Sequence, residues 1–402
     1  MARRRRARYP VRMRAARVAA LLAVAAAVAP AARAGEEMLT VRRGHAFTPA
    51  RRTPTDALVA SLALPPGFRI ARFADGLRGV RMLAVGDDGT VYATRPAAGD
   101  VVALADRDGD GRAEERRTAA ADLPGVHGVA VHGRTLLLAT VREVYAVALD
   151  GDRTPRRLFA GLPPGGNHPN RTLALGPDGR LYVSVGSTCN CCVEDSRESA
   201  TILRAAPDGS ARRVFARGLR NTIGFGWHPK THAMWGMDHG TDWLGDDAPP
   251  EELNRLEAGH DYGWPDLWGA NQPVPGLPAG VDAAAHAARA TPPVLGYTAH
   301  AAPIAMVFYD GAQFPPEYRG DAFVAMHGSW NREPPAGYEV VRIRFRDGAP
   351  ERFEPFLRGF LRREDGRWTT FGRPCGLAVA RDGALLVGDD ANGVVYRVAY
   401  EK

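Results

Sequence analysis

Leu173–Gly186 reads LALGPDGRLYVSVG. Two short apolar runs flank a Pro-Asp-Gly turn, the pattern of a β-hairpin. The phrase recurs along the chain. Leu83–Thr94 is LAVGDDGTVYAT, Gly128–Thr140 is GVAVHGRTLLLAT and Phe225–Gly240 is FGWHPKTHAMWGMDHG. A longer copy runs from Met306 through Gly328, and Leu377–Asp389 is LAVARDGALLVGD. The turn glycines Gly89, Gly133 and Gly179 are about 45 residues apart, the spacing of four-stranded propeller blades. Six copies predict an all-β, six-bladed β-propeller with four-stranded blades and loop insertions in the later ones. Phe68–Phe73 (FRIARF) is expected to pair with Gly393–Tyr400 (GVVYRVAY) and so hide the open sheet edges. Asp282–Ala290 is the one helix-like stretch, short and Ala-rich.

The ends frame this repeat. Arg3, Arg4, Arg5, Arg6, Arg8, Arg12, Arg14 and Arg17 precede an apolar run from Val18 to Pro30, then Ala32-Arg33-Ala34. That order of basic, apolar and small residues predicts a secretory signal peptide over 1–34. Residues 35–63 are read as an N-terminal extension and 64–402 as the catalytic propeller. Without its nine leader arginines the chain's formal net charge of +7 becomes −2. No basic footprint for nucleic acid remains, and no later apolar run is long enough to span a bilayer. A periplasmic or secreted protein is expected. Cys189, Cys191, Cys192 and Cys375 would then meet an oxidising environment. Cys189 could pair with Cys192, or one of the cluster with Cys375.

Candidate chemistry lies where the chain runs into or out of the repeat strands. His168, in Gly165-Gly166-Asn167-His168-Pro169-Asn170-Arg171, has the titration range of a general base. Arg220-Asn221 and Arg373 offer donors suited to carboxylates. Asp238–Asn254 and the following Asp261–Pro265 concentrate the oxygen ligands that calcium requires. Asp106–Gly111 opens like a calcium loop, but Arg117 stands where the closing glutamate would be, so it reads as a polar hairpin tip.

Taken in order, His168, Arg220-Asn221, Glu252-Leu253-Asn254, Tyr262-Gly263-Trp264-Pro265, Ala302-Pro303, His327–Arg332 and Gly372-Arg373-Pro374 resemble the soluble pyrroloquinoline quinone (PQQ)-dependent aldose dehydrogenases, and within them the sorbosone-dehydrogenase-like branch. The resemblance covers Leu64 to Tyr400. It implies a quinoprotein that oxidises an aldose, a sorbosone-like sugar or a related aldehyde with PQQ and calcium, passing electrons to a quinone or cytochrome. By the same resemblance His168 is the catalytic base, Arg220, Asn221 and Arg373 bind the cofactor, and His127, His239 and His327 stand near it. Gly240, Glu252 and Tyr262 match calcium ligands. The chain departs from the glucose enzymes in three ways. Cys375 replaces a second arginine, His239 stands where a glutamine often lies, and the family's cofactor lysine has only His327 or Arg332 near its place. Loops 241–250 and 266–300 are expected to choose the substrate. Two other readings fit the same scaffold: a calcium-dependent lactonase or esterase, and a propeller that binds a ligand without catalysis.

Overall fold

The computed structural model describes residues 35–39, 42–278 and 280–401. The proposed leader over 1–34 lies outside them. The described chain is almost wholly β, with six four-stranded antiparallel sheets. Each of the first three is a simple meander: Leu83–Val85 to Glu115–Ala120, Gly128–His132 to Arg156–Phe159, and Leu173–Leu175 to Arg213–Arg217. The fourth runs Gly224–Trp227, Met234–Asp238, Glu251–Leu256 and Leu295–Tyr297, and its last crossing carries a long insertion. The fifth runs from Pro303–Phe308 to Ala349–Leu357. The sixth takes Pro374–Val379, Leu385–Asp389 and Val394–Tyr400 and is completed by Phe68–Ala74, with Phe68 opposite Tyr400. The first and last strands of the repeat therefore share one sheet, as the sequence pattern anticipated.

The first strands of successive sheets lie side by side. Leu83–Val85 neighbours both Gly128–His132 and Pro374–Val379, and Pro303–Phe308 neighbours Gly224–Trp227 and Pro374–Val379. Second strands are covered on both faces by adjacent sheets. Leu181–Val185, Met234–Asp238, Ala322–Met326 and Leu385–Asp389 are consequently buried at every position, and read as near-continuous apolar runs rather than strict alternation. Outer strands such as Glu115–Ala120 (ERRTAA) expose their first four residues.

Two features were not legible beforehand. Arg367–Thr370 pairs with Leu361–Glu364 and, in parallel, with Ala50–Arg51. The segment before Ala50 crosses the top of the molecule. Met38 N–H donates to the Cys191 carbonyl at 2.7 Å, Arg43 N–H to that of Trp243 at 2.9 Å, and Phe47 N–H to that of Trp330 at 2.8 Å. The expected helix over Asp282–Ala290 is shorter, Ala283–Ala287, with Asp282 as its N-cap. No helix among the described residues is long and apolar enough to cross a membrane.

Candidate active site

A cavity of about 530 Å³ opens on the face where the chain enters the first strands. His168, Arg220, Asn221, His239, His327 and Arg373, named from sequence, all line it. Glu37, Leu39, Arg42, Arg81 and Asn190, which were not singled out, line it too, as do Asp242 and Trp243 of loop 241–250 and Trp330 of the His327–Arg332 stretch.

His168 follows the turn at Gly165-Gly166. Gly166 has φ +51°, and a Cβ there would stand 2.1 Å from the Thr188 carbonyl oxygen, so no side chain fits. Arg171, fully buried, braces the turn through its guanidinium to the carbonyls of His168 (2.7 Å), Pro163 (3.0 Å) and Val141 (3.2 Å). His168 Nδ1 stands 2.9 Å from both the carbonyl oxygen and Oγ of Ser187. A carbonyl only accepts, so Nδ1 carries the proton and Nε2 is left as the lone-pair nitrogen. Burial, then the charge of Arg220, holds the ring well below its ordinary pKa and therefore neutral.

Arg220 is 3 % exposed. Its Nε donates to the Asn190 carbonyl at 2.9 Å, and one Nη donates to Asn190 Oδ1 at 2.8 Å and pairs with Asp242 at 2.7 Å. The sequence reading left this arginine free for a ligand; the structure spends three of its five N–H donors inside the protein. Asn221, beside it, has no side-chain partner among the described residues. A Cβ on Gly186 would come within 2.6 Å of both Asn221 Oδ1 and His168 Cβ, so the two side chains flank that glycine closely.

Burial of second-strand ends explains how these groups are held. Asp238, at the end of Met234–Asp238, accepts the Arg220 and Asn221 N–H groups at 2.9 Å each and the Thr222 hydroxyl at 2.7 Å. Asp389, at the same place in the sixth sheet, accepts the Arg373 N–H at 3.0 Å. Among the described residues the Arg373 guanidinium donates only to the carbonyls of His327 (3.3 Å) and Gly328 (3.1 Å), so its charge has no bonded carboxylate there. His327 Nε2 lies 3.0 Å from both Asp390 oxygens, and Asp390 also pairs with Arg81. Burial nevertheless pushes the His327 imidazole down to about 4. Of the two side chains proposed for the missing lysine's place, His327 lines the cavity, whereas Arg332 bonds Pro334, Ala299 and Asp247. His239 donates Nε2–H to the Pro303 carbonyl at 2.8 Å, and burial lowers it to about 4.

The other site residues named from sequence lie outside the cavity wall. His127 is 0 % exposed and is not in the cavity wall. Its Nδ1 contacts the Arg171 carbonyl at 3.1 Å, Nε2 has no partner among the described residues, and burial pushes the ring down to about 3. Gly240, Glu252 and Tyr262 do not line the cavity either. Successive strand residues face opposite ways: Glu251 turns toward the cavity side and accepts the Ala302 (2.8 Å) and Gly240 (3.2 Å) N–H groups, while Glu252 turns away and accepts that of Gly269 at 2.7 Å. Burial lifts both carboxyls to about 8. Cys189 is bonded to Cys192, and Cys191 and Cys375 are buried free thiols. Loop 241–250 reaches the cavity through Asp242 and Trp243, but no described residue of 266–300 lies in its wall.

Comparison with known proteins agrees with this picture. A family model described as glucose/sorbosone dehydrogenase matches residues 139–330, and a TrAA12-like model matches 270–401. An uncharacterised protein of Borreliella burgdorferi is 33 % identical over 252 residues, 61 % of this chain and 65 % of that one. A PQQ-dependent sugar dehydrogenase of Hypocrea jecorina is 28 % identical over 190 residues, 38 % of this chain and 44 % of that one. These matches span less than two thirds of the relatives' own length. Among solved structures, the PQQ domain of Coprinopsis cinerea pyranose dehydrogenase superposes with a TM-score of 0.73 at 21 % identity, covering 88 % of this chain and all of that one. The PQQ-bound aldose sugar dehydrogenase of Streptomyces coelicolor gives 0.60 at 18 % identity, covering 84 % and 100 %. Over residues 139–330 the chain is similar to the glucose/sorbosone dehydrogenase family.

Proposed function

We propose that the protein is an exported quinoprotein dehydrogenase, a six-bladed propeller that oxidises an aldose, a sorbosone-like sugar or a related aldehyde. The observation that carries this reading is the convergence on one cavity of a bare His168 Nε2, an unpartnered Asn221 amide and the Arg373 cation.

The residues present fit the cofactor. Among the described residues Arg373 has no bonded carboxylate, and Arg220 keeps the two N–H donors of its other Nη without a partner. Three carboxylates on a planar ligand would meet both. Asn221 would add a donor and an acceptor, with His239 and His327 beside it; His127 would serve beneath this layer. A calcium site also fits. Glu252 lies across the strands from Asp238, and Asn254 Oδ1 nearby is a buried oxygen with no partner. Carboxylate and amide oxygens so confined suit a calcium ion. Glu252, the Tyr262 carbonyl and, nearer the cavity, the Gly240 carbonyl would be ligands.

When bound, PQQ supplies an electron-poor quinone, polarised by calcium, that accepts hydride. The chain's part is to place the substrate and move its proton. His168 Nε2 takes the hydroxyl proton from the carbon being oxidised, Ser187 fixes the ring's orientation, and the low pKa keeps the base unprotonated. An electron acceptor, a quinone or a cytochrome, would complete turnover.

Reconstitution of the purified protein with PQQ and calcium, followed by dye reduction across aldoses, sorbosone and simple aldehydes, tests the reading. PQQ- and calcium-dependent reduction is expected. Absence of PQQ binding would sink it.

A further inference from the structure

The tetrapeptide Cys189-Asn190-Cys191-Cys192 has no role in the scheme above, yet it touches both halves of the site. We propose that Asn190 is a positioning residue for Arg220, and that the Cys189–Cys192 disulfide holds it to that task. The proposal rests on Arg220 being a ligand contact.

Asn190 is engaged through its carbonyl, its Oδ1 and its Nδ2. Its carbonyl accepts from Arg220 Nε at 2.9 Å and from Trp264 Nε1 at 3.3 Å. Its Oδ1 accepts from an Arg220 Nη and from the Asp242 N–H, both at 2.8 Å. Its Nδ2 donates to the Asp242 carbonyl at 3.2 Å. One residue thus grips two edges of the guanidinium and also fixes the backbone of the carboxylate that pairs with it. The other Nη has no partner among the described residues, and Arg220 lines the cavity. Without Asn190 the ion pair with Asp242 would be a single contact about which the guanidinium could swing.

Such a grip requires the Asn190 backbone to stay put, and it sits in an irregular loop. The disulfide closes that loop on itself. Outer contacts seat it: Met38 N–H on the Cys191 carbonyl, and Thr188 N–H and hydroxyl on Glu194 at 2.6 and 2.7 Å. The same loop reaches the base. Ser187 Oγ donates to the Cys189 carbonyl at 2.7 Å. With its only proton so committed, Ser187 Oγ can only accept from His168 Nδ1–H.

The test uses PQQ with calcium as probe and equilibrium affinity as readout. Asn190→Ala is expected to weaken binding about tenfold. Asn190→Asp, which keeps the Oδ1 acceptor, should recover most of that. In an Arg220→Ala background Asn190→Ala should add nothing, because the residue acts through Arg220; an undiminished further loss would overturn the assignment. Crystal structures of Asn190→Ala and of the Cys189→Ser/Cys192→Ser protein need no ligand. A displaced Arg220 guanidinium is expected in both, and an unmoved one would overturn the part of the proposal that variant probes. If the parent protein failed to bind PQQ while these structures showed the shift, the dehydrogenase reading would fall and the positioning role would stand.

Discussion

Replacing Asp238 with alanine removes the acceptor shared by two backbone amides and a hydroxyl. Arg220 N–H, Asn221 N–H and Thr222 Oγ–H all lie within 2.9 Å of its carboxylate in a region closed to solvent. An unsatisfied buried donor costs about 1–3 kcal/mol. Three such losses, reduced by water entering the space left behind, give about 3–5 kcal/mol. Asp238→Asn offers an internal standard. Oδ1 receives both Asn221 and Thr222, so an amide oxygen can keep those two bonds, and only Arg220 N–H would face a donor instead. Its cost should be about 1–3 kcal/mol. Denaturant unfolding near pH 7.5, above the value of about 6 to which burial raises this carboxyl, measures both variants in the ionised reference state. The order parent, Asn, Ala is expected, with PQQ affinity falling in parallel because Arg220 and Asn221 line the cavity. A loss below about 1 kcal/mol for Asp238→Ala would refute the claim that this carboxylate builds the turn.

His168→Ala should lower kcat by about a hundredfold or more while leaving PQQ bound, as seen by turnover and cofactor titration; equal turnover would remove His168 from the mechanism. The depressed His168 pKa places the acid limb of the kcat/KM profile below pH 6.5, since the base is lost only as pH falls through its folded value. A limb at or above that pH would contradict the buried, neutral ring. Gly186→Ala should cut kcat/KM about tenfold or more, because the new methyl must displace both Asn221 and His168. In calcium-free protein, folding stability should fall as pH rises from about 6.5 to 8. Glu251 and Glu252 have folded pKa values raised from 4.5 to about 8, so the folded state holds protons that the unfolded chain has released. The loss is about 1.4 kcal/mol per pH unit for each group, and Glu251→Gln should remove roughly half of it in unfolding titrations; an unchanged slope would show that Glu251 ionises freely in the fold.

The repeat was legible because hairpins with Asp-Gly turns announce themselves by period and turn chemistry together. His168, Arg220, Asn221 and Arg373 were legible for a related reason: each is polar and precedes an apolar strand. Arg81, just before Leu83–Val85, obeys the same rule and was passed over because no polar neighbour drew attention to it. Asn190 was hidden inside a cysteine cluster, whose interest lay in its sulfurs. Glu251 and Glu252 show a different limit. Adjacent strand residues face opposite sides, and one sequence cannot say which carboxylate faces the cavity. The wall formed by Glu37, Leu39 and Arg42 belongs to a segment without periodicity, held by backbone bonds to distant loops, and no local pattern encodes such contacts.

The sheet shared by Phe68–Ala74 and Val394–Tyr400 joins strands about 320 residues apart. A chain folding from its N-terminus must carry the FRIARFA strand with an unpaired edge until its last residues arrive. That interval is when an apolar strand recruits strangers. Arg69 and Arg72 break the apolar run, and in the finished molecule they meet Glu401 and Asp56 at its surface. Before closure the same two charges act as gatekeepers, repelling a second copy of the strand while the rightful partner is still to come.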